Sequence, residues 1–197
     1  MEFRLLGWPD DDVVLRLDHR EYAYAGKFAM SSTGKAVALD PGQSFTLPAN
    51  PKREYVAPVG VVAFSPDRTD SDTLWLRYVT VRRNRRGEGI GTDLCAFVVA
   101  RAADRGYDRA RIAVNNAYSY EALHKAGFAW TGRETGIAEL VLERPTARPA
   151  TVDADRYREG LATIADRDDV GPEERAFTRR KRERGPPPVV RQLGRDE

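Results

Sequence analysis

A single cysteine, Cys95, stands among 197 residues, so no intrachain disulfide holds this fold together. Its place inside the apolar stretch from Leu94 to Ala100 marks it as a small packing group rather than a nucleophile. Long hydrophobic runs are also missing, and none approaches the roughly 18 residues that a membrane-spanning helix needs. The opening residues Met1 to Gly7 are interrupted by Glu2 and Arg4 and followed by Asp10, Asp11 and Asp12, which leaves no secretory apolar core there. These absences predict a cytoplasmic protein without a membrane partner. A dominant charge is lacking as well: 32 basic and 30 acidic residues cancel to +2, so the chain as a whole has no general attraction to nucleic acid.

The length suits one domain with a real core plus an extension, since domains commonly run to about 100–200 residues. The pattern alternates between strands and helices. Apolar, β-branched composition predicts strands over 13–17, 35–39, 59–64, 73–81, 111–115, 128–132 and 137–142. Helices are expected over 19–30, 89–105 and 119–126, with Gly106 stopping the second, and a loop over 41–57. The strands 59–64 and 73–81, joined by the turn-rich Ser65 to Asp70, should pair antiparallel. A crossover helix between 73–81 and 111–115 makes those two strands parallel neighbours with a right-handed connection. The sheet is therefore mixed and mostly antiparallel, the α/β (α+β) class.

After Arg144-Pro145 the composition shifts to charged segments bracketed by prolines. The expected division is a domain over 1–144 and an extension over 145–197 with one or two helices. Tyr157, Leu161 and Ile164 recur at helical spacing behind Asp153 and Asp155, which predicts a helix over 153–165. A second helix is expected over 172–184, where Arg179-Arg180-Lys181-Arg182 reads as a solvated basic face.

The most informative stretch is Arg86-Gly87-Glu88-Gly89-Ile90-Gly91, placed between a strand and a helix start. Glycines let the backbone come close to a ligand, and the unpaired amides of a helix's first turn favour an anion. Three glycines also suit a plain strand-to-helix connection; the flanking arginines favour the phosphate seat. The alternating glycines do not fit the Rossmann fingerprint, and Gly91-Thr92-Asp93 lacks the lysine of a Walker loop.

The segment resembles the acetyl-CoA signature of the GNAT N-acetyltransferases, Arg/Gln-x-x-Gly-x-Gly/Ala, at Arg86, Gly89 and Gly91. A second family feature follows in order: Asn115-Asn116 after a strand, a short helix, then Gly127-Phe128. The resemblance covers roughly residues 58–144. It implies a GNAT-like sheet with helices on both faces and a parallel pair after the acetyl-CoA loop. It also implies acetyl-CoA as co-substrate, an amine as acceptor, and direct attack of that amine on the thioester. By the same resemblance Val79, Thr80 and Val81 hold the pantetheine arm, Arg86, Gly87, Glu88, Gly89, Ile90, Gly91 and Thr92 hold the diphosphate, and Asn116 bonds the arm or caps its helix. One of Arg82, Arg83 and Arg85 is expected to meet the 3′-phosphate. No metal site is expected, and a homodimer is the commonest symmetric assembly.

The chain departs from the family at Leu123, where many relatives carry a proton-donating tyrosine. Tyr120 and His124 on the same helix are the catalytic candidates in its place, with Tyr118 behind them. No carboxylate matches the family's base, since Trp75 stands near its strand position; Glu54, Asp72 or water are the substitutes. Tyr22, Tyr24, Phe28, Tyr55 and Trp75 are candidates for an acceptor pocket. These departures leave a second reading open, a non-catalytic acyl-CoA-binding or regulatory module.

Overall fold

A computed structural model describes residues 1–190; the end of the expected extension, 191–197, lies outside the described residues. The strands are β1 (Glu2–Gly7), β2 (Gly34–Leu39), β3 (Gly60–Pro66), β4 (Thr73–Val81), β5 (Arg109–Val114), β6 (Ala129–Glu134) and β7 (Leu140–Pro145). Between and after them run α1 (Ile90–Asp104), α2 (Ala117–Lys125), α3 (Ala154–Ala165) and α4 (Pro172–Arg184). The strands form one sheet in the order β1-β2-β3-β4-β5-β7-β6, antiparallel throughout except for the β4–β5 pair. The expected mixed sheet, with its parallel pair around the glycine turn, is what the chain builds.

Alternation along the strands sends side chains to two cores. On one face Ala36, Val62, Leu74, Leu76 and Ile112 meet Leu94 and Val98 of α1, Leu123 of α2, and Tyr157, Leu161 and Ile164 of α3. The apolar stripe expected on 153–165 therefore docks into the main core. On the other face Val37, Leu39, Val61 and Ala63 are covered by Val13, Leu15, Leu17, Tyr22 and Phe28.

That covering segment differs from expectation. Residues 13–17 form no strand beyond a single bridge between Arg16 and Tyr55. Residues 19–30 are turns ending in a short 3-10 stretch at Ala25–Ala29, because Tyr24 adopts the left-handed region (φ 56°), which interrupts an α-helix. Lys35, wholly buried on β2, anchors this irregular cover: its ammonium donates to the carbonyls of Val13 (3.0 Å), Met30 (2.8 Å) and Thr33 (2.6 Å). Burial pulls its pKa down to about 8, and the carbonyls supply the partners that a buried cation needs.

Candidate functional site

The parallel ladder between β4 and β5 runs only from Thr73–Arg109 to Leu76–Ile112. Beyond it β4 continues against β3 to Val81, and β5 continues against β7 to Val114, so the two strands part. A bulge causes the parting. Phe64 of β3 faces Leu76 while its neighbour Ala63 faces Tyr78, which leaves Arg77 as the extra residue that bends β4. Along 77–81 the β4 backbone thus turns an edge without a strand partner toward the gap, a surface on which an extended chain can hydrogen-bond. Thr80, buried on this stretch, has a hydroxyl with no partner among the described residues.

The gap opens toward the glycine turn. Gly87 (φ 87°) and Gly89 (φ 84°) both lie in the left-handed region, and a Cβ built on either meets nothing within 4 Å. The glycines are thus required by conformation, and the space beside them is open. Gly89 begins α1 without a side-chain cap, and the amides of Ile90, Gly91 and Thr92 find no acceptor among the described residues. The contrast with α2 is direct: Asn116 Oδ1 accepts from Ser119 N (2.9 Å) and Glu174 Oε1 accepts from Ala117 N (2.6 Å). One helix start is closed by its own chain and the other is left for an anion.

The arginines divide by task. Arg82 donates to the Tyr22 hydroxyl (3.3 Å) and to the Ala57 carbonyl, and Arg85 bridges Asp40 and Glu88 at 2.9 Å each. Those two brace the turn, and Glu88 is engaged in doing so. Arg83 and Arg86 are exposed beside the glycines, with Arg86 Nε 3.3 Å from the Val81 carbonyl. A glycine cradle, an uncapped helix start, two exposed guanidinium groups and an unpaired strand edge suit a diphosphate carrying an extended amide-bearing arm. The residues present fit coenzyme A.

Asn116 lies at the β5 end of this gap and acts as the helix cap, its side-chain amide donating to Asn115 Oδ1 at 3.1 Å. The two catalytic candidates lie elsewhere on α2. Tyr120 is fully buried with its hydroxyl 3.3 Å from the Tyr157 carbonyl, and a Cβ at Gly160 of α3 would collide with it. Burial raises the pKa of its phenol. His124, 1% exposed, has Nδ1 2.8 Å from the Tyr120 carbonyl, and burial pulls its pKa down to about 4. A carbonyl only accepts, so Nδ1 carries the proton and Nε2 is the bare nitrogen, without a partner among the described residues. Both side chains are packed under α3, where a proton-donor role lacks access to solvent. Tyr118, by contrast, is 48% exposed.

His124 also borders a small cavity with Trp130, Asp153, Arg156 and Tyr157, of about 70 Å³. That volume admits water or a very small solute rather than an acyl donor. Of the residues considered for an acceptor pocket, Tyr22 and Phe28 are core, Tyr24 and Tyr55 are exposed, and Trp75 lies under Arg77 and Arg111. Glu54 is exposed and accepts from Asn50 N (3.0 Å). Asp72 precedes β4, at the end of the strand away from the gap, so it does not reach it.

The residues that sequence reasoning missed lie in the extension. Arg167 donates to the carbonyls of Asn115 (2.9 Å) and Ala138, and Glu174 closes α2. Acids after Pro172 announce a helix start, but nothing local announces that one of them serves a different helix.

A model of the family described as "Acetyltransferase (GNAT) family" matches residues 8–128. A search of the curated proteins returns no match. Among solved structures the chain is similar to a nourseothricin acetyltransferase, with 17% identity, 74% of this chain and 98% of that chain covered, and a TM-score of 0.49. An N-acetyltransferase from Staphylococcus aureus Mu50 aligns with 17% identity over 58% of this chain and 68% of that one (TM-score 0.45). A PaiA N-acetyltransferase from Thermoplasma acidophilum, in complex with coenzyme A, aligns with 13% identity over 56% and 59% (TM-score 0.43). Among the described residues no helix is long and apolar enough to cross a membrane.

Proposed function

The chain belongs to the GNAT acetyltransferase family, and from that premise we propose that it transfers an acetyl group from acetyl-CoA to a primary amine. The observation that carries this reading is the uncapped start of α1, opening on the gap where β4 and β5 part. Main-chain amides of Ile90, Gly91 and Thr92, with Arg86, would hold the diphosphate, and the free edge of Val79, Thr80 and Val81 would align the pantetheine arm. Charge-assisted hydrogen bonds are worth roughly 1.5–3 kcal/mol each, so several together hold a dianion against water.

With the arm fixed, an unprotonated amine attacks the thioester carbonyl directly, and the catalytic gain is mostly orientation. The enclosure of Tyr120 and His124 supports a positioning role for both, steadying α2, while solvent in the open gap returns the proton to the departing thiolate. The division of labour follows: residues 1–144 carry the glycine turn and strand edge that hold the acyl donor, while Arg167 and Glu174 of the extension brace α2 and the chain just after β5.

The second reading, a binding module without turnover, draws on Leu123 standing where relatives carry a tyrosine, and on the same enclosure. Two measurements separate the readings. Acetyl-CoA at about 100 times its Kd should stabilise the protein by roughly 2.7 kcal/mol in thermal melts under either one. Release of free thiol across a panel of primary amines is expected only for the enzyme. A melt unmoved by millimolar acetyl-CoA overturns both.

A further inference from the structure

Tyr118 of α2 and Phe177 of α4 form an aromatic pair, with ring centroids 4.7 Å apart and planes at 44°. Half of Tyr118 is open to solvent, so the pair is an exposed ledge rather than a piece of core. Its position is fixed by Ala122, whose carbonyl accepts from Thr92 Oγ1 at 3.1 Å. Tyr118 precedes Ala122 by four positions on the same face of α2, about one helical turn or roughly 5.4 Å along its axis from that contact with the first turn of α1. Two cations stand by the Phe177 ring, Lys181 at 5.3 Å and Arg180 at 5.9 Å. Lys181 is committed to Glu121, 2.5 Å away. Arg180 is exposed and takes part in none of the salt bridges among the described residues.

We propose that α4 completes the nucleotide end of the acyl-donor site, with the adenine stacking on Tyr118 and Phe177 and the 3′-phosphate meeting Arg180. The inference rests on the reading that coenzyme A docks at α1. A flat base with a phosphate beside it asks for a π surface and a guanidinium within a few ångströms of each other, which is what this seam offers. It gives the basic run on α4 a ligand. The rival position for the 3′-phosphate is Arg83, exposed just before the glycine turn.

Calorimetry on the full chain with coenzyme A and 3′-dephospho-coenzyme A separates them. The wild type should prefer coenzyme A by about tenfold, the equivalent of one charge-assisted contact. Arg180→Ala should abolish that preference while leaving the affinity for the dephospho form unchanged. Tyr118→Ala should weaken both ligands by about tenfold, through loss of stacking. The proposal is overturned if the preference survives Arg180→Ala, if it is absent in the wild type, or if it disappears instead in Arg83→Ala. Those results, with both ligands still bound, would refute the role of α4 alone; failure of the wild type to bind either ligand would remove the docking at α1 as well. Unchanged thermal midpoints of the unliganded variants are the check on folding.

Discussion

Glu174 and Ala117, 57 positions apart, share one hydrogen bond in which the carboxylate accepts the first amide of α2 at 2.6 Å. With Asn116 it finishes that helix, whereas α1 begins at Gly89 with nothing over its amides. Two helix starts on the same face of the sheet are thereby sorted by the chain itself into a structural one and a receptive one.

Gly89 and Gly91 should respond differently to alanine. Gly89 sits at φ 84°, where a Cβ has room but the backbone does not suit an L side chain. Gly89→Ala is expected to cost about 1–2 kcal/mol in denaturant melts and to weaken acetyl-CoA binding by tilting the first-turn amides. Gly91 lies inside α1, and its added Cβ would make ordinary contacts with Val81 (3.5 Å) and Val79 (3.9 Å). Gly91→Ala should leave stability equal or raised by up to about 1 kcal/mol. Equal losses in both variants would show that conformation at Gly89 is not what the turn depends on.

The buried carboxylate of Glu121 should make Lys181 a stability residue. Glu121 accepts from Lys181 Nζ (2.5 Å) and from the Tyr157 hydroxyl (2.5 Å), which joins α2 to both α4 and α3. Lys181→Met strips the nearer cation from a carboxylate whose side chain is 5% exposed and leaves only Lys125 Nζ, 3.9 Å away, so the expected loss is up to about 3 kcal/mol in urea unfolding. Adding Glu121→Gln to that variant should restore part of the loss, since the amide needs no counter-charge. A double variant weaker than the single one would contradict this account.

What the sequence made legible is local. The run from Thr73 through Gly91 declares a strand, a turn and a helix start within neighbouring residues, and the chain builds them in that order. The Tyr157, Leu161, Ile164 stripe declares a docking helix for the same reason. The hidden parts depend on distant partners. β1 reads as charged because Glu2 and Arg4 alternate with Phe3 and Leu5 on a sheet edge. The apolar residues of 13–17 look like a strand but fill the second core without a ladder. Which arginines were free near the glycines turned on Asp40, 45 positions from Arg85. Tyr120 and His124 looked available on α2 until α3, folding back from beyond β7, covered them.

Removal of the extension should therefore damage the domain rather than liberate it. Tyr157, Leu161 and Ile164 belong to the main core, and deletion after Pro145 uncovers Tyr120, His124 and Trp130 together. A truncated chain ending at Pro145 is expected to lose cooperative unfolding in thermal melts and to bind a hydrophobic dye. A sharp transition within a few degrees of the full chain would show that the extension is an accessory to an independent domain.

His124 should make the fold sensitive to acid. Its pKa is about 4 in the folded chain against an ordinary value of 6.5, because burial between α2 and α3 disfavours the charged ring. The unfolded chain therefore binds the extra proton first as pH falls, and the native state loses stability from about pH 6.5 down to about pH 4. Tyr120, Tyr157 and Glu121 face the ring; Glu121 attracts the proton and offsets part of the burial. The shift corresponds to roughly 3 kcal/mol once pH falls below the folded value, an upper figure for a site that can relax. His124→Asn keeps a donor toward the Tyr120 carbonyl and removes the titration. Urea midpoints of the two proteins should differ most near pH 7, in favour of the wild type, and converge toward pH 4. A gap of constant size across that range would show that the ring titrates alike in the folded and unfolded chain, without the shift that burial imposes.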